Sequence, residues 1–177
     1  RYSWKGDWGR GGGGAIVRQL KVDRTVGGIA YDSDAFGGGV TLGGRWAMNP
    51  SNSLHYQLSA GEGIARYIGL GITGDATLDP ARDDLDATGV LAGFVGWRHN
   101  FNAKTRTNLV YAFSQYDNPD FAGLGVTKGV NSIRGNIFYS PVPKVDVGAE
   151  LMYGVREIEN GRRGDIRRIQ FTTKYSF

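Results

Sequence analysis

The residues best equipped for chemistry in this sequence are its arginines, and their positions follow a rule. Arg18, Arg45, Arg98, Arg106, Arg134, Arg156 and Arg168, joined by Lys174, each sit in a stretch where apolar and polar residues alternate. Side chains on an extended strand switch face at every residue, so each of these cations falls on the polar face of its segment. A guanidinium stays charged and grips carboxylates in bidentate fashion. Arranged around a wet bore with a low-dielectric wall, such a set would raise the local anion concentration and favour anion passage. The competing reading is structural, with the arginines paired to Asp146, Glu150 and their neighbours to hold that face together. Arg66 is expected at the mouth of the same bore.

Other candidates are weaker. Asp79, Asp83, Asp84 and Asp86 crowd the segment Tyr67–Thr88. Folded inward, that segment would form a constriction whose carboxylates face the arginines across the lumen; folded outward, it is a solvated loop. Its spacing matches no calcium-loop pattern, and no metal or cofactor is expected. Gly69-Leu70-Gly71-Ile72-Thr73-Gly74 spells GxGxxG, but Pro80 and a run of Asp intervene where a helix would have to follow, so no nucleotide site is read there. His55 and His99 are the only histidines. A hydrolase needs a histidine with a positioned acid or serine. His99, between Trp97 and Phe101, reads instead as an interfacial residue, and the chain is not expected to be an enzyme.

The elements that must position these side chains are strands. In the last eleven residues Ile169, Phe171, Thr173, Tyr175 and Phe177 point one way, and Arg168, Gln170, Thr172, Lys174 and Ser176 the other. Val40 to Met48, Leu54 to Ala60, Leu91 to Phe101, Thr107 to Phe113, Ile133 to Tyr139 and Val145 to Val155 repeat the two-residue period. Tyr2 to Trp8 reads as a first strand with a tight turn at Gly6–Gly9. Ala15 to Val22 reads as a second, entered through an odd run of four glycines, Gly11–Gly14, that marks either a close backbone approach or a flexible entry. The connectors alternate. Gly6–Gly9, Asn49–Asn52, Asn102–Lys104 and Pro141–Lys144 are short turns, whereas Asp23–Gly37, Tyr67–Thr88, Asp117–Lys128 and Glu157–Asp165 read as longer loops.

Bulk properties limit the classes. The 177 residues form one domain, 1–177, or the carboxy-terminal portion of one. There is no cysteine, which suits passage through an oxidising compartment. The net charge of +4 is scattered along the chain and gives no footprint for nucleic acid. No apolar run of about 18 residues encodes a membrane helix, and no secretory leader is expected within these residues. A β-barrel in lipid leaves the same average hydropathy, since every second residue faces water. A soluble up-and-down barrel would share the alternation with its faces exchanged. Aromatics near strand ends (Trp46, Trp97, Phe101, Tyr139, Tyr175, Phe177), arginines on the opposite face and an aromatic end favour the membrane form. The expected fold is therefore all-β: a transmembrane antiparallel up-and-down barrel of about eight or nine strands.

Three stretches resemble one family. Gly6-Asp7-Trp8-Gly9 followed by Arg18-Gln19-Leu20, then Gly96-Trp97-Arg98-His99, then Ile137-Phe138-Tyr139-Ser140-Pro141-Val142 with Val145-Asp146-Val147-Gly148 are similar to the DcaP-like porins, trimeric outer-membrane channels of Gram-negative bacteria. Lys174-Tyr175-Ser176-Phe177 fits as well, though many outer-membrane proteins share such an ending. The resemblance implies about sixteen strands, of which this chain would supply the carboxy-terminal half. It also implies a homotrimer that passes small anionic solutes such as dicarboxylates. The lipid bilayer and lipopolysaccharide would be its surroundings, and barrel-assembly machinery would recognise Tyr175 and Phe177. The alternative is a closed eight-stranded structural or adhesion barrel without a conducting pore.

Overall fold

The computed structural model describes residues 1–69 and 71–177. Nine strands follow one another in a single antiparallel meander: β1 (Tyr2–Gly6), β2 (Gly9–Val26), β3 (Ile29–Asn49), β4 (Asn52–Glu62), β7 (Gly89–Asn100), β8 (Thr105–Asp117), β9 (Thr127–Tyr139), β10 (Val145–Ile158) and β11 (Arg163–Tyr175). Between β4 and β7 the chain forms a short helix, α1 (Ala65–Gly69), and a separate hairpin of β5 (Ala76–Asp79) and β6 (Asp84–Ala87). No helix among the described residues is long and apolar enough to cross a membrane, which leaves strand crossings open.

The two-residue period survives intact. Phe171 and Leu151 are 79% and 62% exposed on the outer face, while Arg168 and Glu150 meet each other on the inner one at 3.5 Å. Val40, Leu42, Leu58, Leu109, Ile133 and Ile137 share the outer face and are likewise exposed. The arrangement with its apolar residues on the concave face is therefore not what forms. The inner face bends. Residues of β2, β3, β4, β7, β8 and β9 line one cavity of about 510 Å³. A flat sheet would hold β2 and β9 about 24 Å apart, five spacings of roughly 4.8 Å.

The sheet does not close on itself. Among the described residues β1 pairs only with β2 and β11 only with β10, leaving two unpaired edges. The first segment is a genuine ninth strand, so the arrangement of eight strands with Tyr2–Gly6 set aside is not what forms.

Two expected loops are strand instead. Asp23–Gly37 is polar and glycine-rich, yet β2 and β3 continue in register through it, from Arg18 opposite Gly37 to Val26 opposite Ile29. Gly27 and Gly28, with φ of +60° and +85°, close a two-residue turn that needs both left-handed positions, so the glycines make a hairpin tip and not an open loop. Glu157–Asp165 is also mostly ladder. β10 and β11 stay paired out to Glu157 opposite Arg163, where a 2.7 Å ion pair bridges the strands. Cross-strand charge pairs stabilised what composition marked as loop; Lys21 and Asp32 form another at 2.9 Å, and this hydrogen bond holds the lysine pKa above its usual value.

The remaining connectors agree with expectation in place and length. The rim carrying the turns at 7–8, 50–51, 101–104 and 140–144 is tight, and the opposite rim carries the 63–88 and 118–126 segments. The glycine run lies inside β2. A Cβ on Gly11 would fall within the Trp4 indole, so the close-approach reading holds at that position, while Gly14 has only ordinary contact with Thr41.

Candidate functional site

Register assembles the inner face. Reading across the sheet, Lys5 lies opposite Arg10, Arg10 opposite Arg45, and Arg45 opposite His55. The same row continues through Gly96, Val110, Arg134 and Met152 to Arg168. Residues on one register row of alternating strands share a face, so cations far apart in sequence become neighbours. Arg10, Arg45, Lys5, Arg1 and His55 line one groove with Gly12, Gly14 and Gly43, whose missing side chains keep it open. Arg10 and Lys5 were not among the sequence candidates. The signal was available: Arg10, Gly12, Gly14, Ile16 and Arg18 keep the alternation through the glycine run.

The predicted cations separate into two groups. Arg106 makes a bidentate pair with Asp146 (3.1 and 2.8 Å), bonds Ser140 and stacks over Phe138. Arg168 meets Glu150. Arg18 bonds Asp75 at 2.8 Å and the Gly63 carbonyl at 3.1 Å, and Arg66 reaches the same carboxylate at 3.0 Å. These four are braced. Arg45, Arg98, Arg134 and Arg156 form no ion pair among the described residues. Arg98 donates to Asn100, and Arg156 to the Thr127 hydroxyl. Arg134 Nε is buried without a hydrogen-bond partner among the described residues. Lys174 lies opposite Asp146 on the inner side of the last pair.

The four aspartates take other places. Asp79 is buried, bonded to the Ala81 amide and 3.5 Å from Arg82. Asp83 accepts the Ser33 hydroxyl at 2.9 Å. Asp84 caps the Leu85 amide, and Asp86 pairs with Thr77 inside the small hairpin. Asp83 fastens β5–β6 to the extended part of β3, where Leu20, Tyr31 and Leu85 are buried; the other three bond within the hairpin, and none of the four forms an ion pair with the arginine row among the described residues. The carboxylate of this segment that meets the predicted arginines is Asp75, which pairs with Arg18 and Arg66 and also accepts the Arg66 amide at 2.7 Å. Asp75 was missed because nothing in its local pattern separates it from the polar residues around it.

The segment nevertheless reaches inward through its apolar part. Ile64, Tyr67, Ile68 and Ile72 face the inner side of the sheet, and Ile64 and Ala65 form a small core with Val90, Ala92 and Tyr116. The Ile72 carbonyl accepts from Thr127 at 3.3 Å, which carries the segment from β4 across to β9. Within the GxGxxG stretch Leu70 lies outside the described residues, and α1 ends at Gly69, the first of the glycines, so its N-terminus is turned away from them.

The histidines divide as well. His55 is on the inner face with its Nε2 3.2 Å from Ser53 Oγ, and its register neighbour is Arg45. Among the described residues no carboxylate orients that imidazole, as a Ser–His nucleophile would need. His99 is on the outer face, stacked on Trp97 at 5.5 Å, edge-on to Phe101 at 4.7 Å and bonded to Asn52. Tyr175 and Phe177 lie 6.4 Å apart at the tight-turn rim, on the same outer side. No cluster of metal-binding side chains occurs among the described residues.

No protein-family model matches the chain, and no curated protein sequence does. Among solved structures it is similar to the outer membrane channel DcaP of Acinetobacter baumannii, with a TM-score of 0.79 at 20% identity over 96% of this chain. The match covers 47% of that protein, so the chain spans about half its length. The antiparallel meander expected from the sequence is found, and it is similar to the matching part of that channel's fold.

Proposed function

We propose that the chain forms half the wall of a water-filled outer-membrane diffusion channel that favours small anions. The observation that carries this reading is the register row from Lys5 through Arg10 and Arg45 to Arg134 and Arg168, placed on the one face of the sheet that bends around a cavity. Arg168 in that row has a carboxylate partner within reach; Arg10, Arg45 and Arg134 have none among the described residues. Unpaired guanidinium groups lining a bore attract anions and repel cations at close range. Asp146 and Glu150 brace two arginines without reversing the balance. The outer face supports lipid contact: exposed aliphatic residues at mid-strand, with Trp46, Trp97, Phe101, Tyr139 and Tyr175 toward the tight-turn rim. Dicarboxylates fit as solutes because two carboxylates can engage successive arginines. A homotrimer, lipopolysaccharide contacts and recognition of Tyr175 and Phe177 by assembly machinery belong to the same proposal.

The test is reconstitution of the protein that contains this chain into planar bilayers under a potassium chloride gradient. A steady conductance with a reversal potential on the chloride side is the expected result. A sealed bilayer, or a cation-selective current, defeats the proposal.

A further inference from the structure

On the long-loop side of the cationic row lies a chamber of different character, and we propose that it binds apolar monocarboxylates. Its roof is Ile64, Tyr67, Ile68 and Ile72, held down on the sheet by the α1 segment. Its floor is made of small side chains, Ser59, Ala92, Ala112, Ser114 and Ser132, so about 510 Å³ stays unfilled where larger residues would have packed. Ile16, Phe94 and Val130 complete the apolar wall. Arg134 closes the end toward the cationic row.

Arg134 has two features that point to a ligand. Its Nε is buried and meets no acceptor among the described residues, and no carboxylate lies within ion-pair distance of its guanidinium. Nε itself has no accessible surface, so an incoming carboxylate would meet the terminal amino groups of the half-buried guanidinium and supply the counter-charge it lacks. The rest of the chamber offers greasy contact on the roof and serine hydroxyls on the floor. Mostly apolar cavities with a few convergent polar groups are the usual form of small-molecule sites. A dicarboxylate suits this chamber poorly, because its second charge would be pressed against the isoleucines without a partner. A single carboxylate on a phenyl or short alkyl body places charge against Arg134 and carbon against the roof. The inference deepens the proposed function, since it rests on the same inner face being a solute path, and it names the class of solute held there.

The experiment uses the full protein purified in detergent, with 3-phenylpropionate as the probe and calorimetry as the readout. Binding with Kd below about 1 mM is expected, as for a ligand of this size held by one charge-assisted pair. Arg134→Gln should weaken it about tenfold or more, and Arg134→Lys should weaken it less. Ala112→Leu, which keeps every charge and fills the floor, should also reduce binding at least several-fold. Electrophoretic mobility before and after heating shows that each variant is folded. Absence of binding by the parent protein, equal binding of 3-phenylpropanol, or affinity untouched by both Arg134→Gln and Ala112→Leu overturns the inference. Conductance measured without the probe separates the two proposals: a conducting channel that does not bind the acid sinks the chamber alone, and a binding protein that does not conduct sinks the channel alone.

Discussion

Replacing Asp75 by alanine should release the inward-folded segment without unfolding the sheet. Its carboxylate is 8% exposed and accepts two hydrogen bonds, from Arg18 at 2.8 Å and from the Arg66 amide at 2.7 Å, and forms an ion pair with Arg66 Nε at 3.0 Å. A hydrogen bond to a charged group contributes about 1.5 kcal/mol or more. Arg66 is two-thirds exposed, so its ion pair is discounted nearly to zero for solvent screening. The Arg18 and backbone bonds together give about 3 kcal/mol. Arg18, only 18% exposed, would also lose its counter-charge and keep the Gly63 carbonyl alone. Local opening of the segment should therefore become about a hundredfold more frequent. Amide hydrogen exchange read by mass spectrometry reports this directly. Peptides from 64–88 should lose about two decades of protection, and those from β8 and β9 should keep theirs. Unchanged exchange in 64–88 would mean that Ile64, Tyr67 and Ile68 hold the roof by packing and that the ionic clamp is idle. A uniform loss across the sheet would refute the idea that the segment is a separate unit.

The remaining expectations are briefer. Arg10→Gln, Arg45→Gln and Arg134→Gln together should move the reversal potential toward zero, whereas the charge-neutral double change Arg106→Gln with Asp146→Asn should leave it nearly in place; equal effects would break the division into bare and braced arginines. Leu151→Arg on the outer face should destabilise the protein in lipid vesicles by about 2 to 4 kcal/mol, while Gln170→Arg on the inner face of the next strand should be close to neutral, as read by urea unfolding. Gly11→Val should lower stability by at least about 1 kcal/mol in the same assay, because its side chain displaces the Trp4 indole.

What the sequence made legible was the part governed by strict alternation. Ile169, Phe171 and Tyr175 against Arg168, Gln170 and Lys174 could be assigned to two faces without coordinates, and so could Leu109 and Tyr111 against Arg106 and Asn108. The short turns were legible because Asn49-Pro50-Ser51-Asn52 and Pro141-Val142-Pro143-Lys144 leave little alternative. Two kinds of feature were hidden. Polar strands that pair above the apolar belt, such as 18–26 with 29–37, lack the hydrophobic contrast on which periodicity depends, and their stability comes from register and cross-strand ion pairs. Contacts between the loop and the sheet were hidden too, since Asp75 and Arg18 are 57 residues apart and only the fold brings them together. The composition of 67–88 drew attention to its four clustered aspartates, yet the isoleucines are what turn inward, because apolar surface gains more from the covered inner face than solvated carboxylates do.

The longest hairpin carries a practical consequence. Residues 29–37 run beyond the end of β4 for nine positions at about 3.3 Å each, a reach of about 30 Å. At its tip Gly27 and Gly28 are exposed and have no neighbouring atoms where a side chain would stand. An affinity tag spliced between them would ride on a stiff ribbon clear of the mouth. In a living cell it would give antibodies or beads a handle on the protein without touching the passage itself.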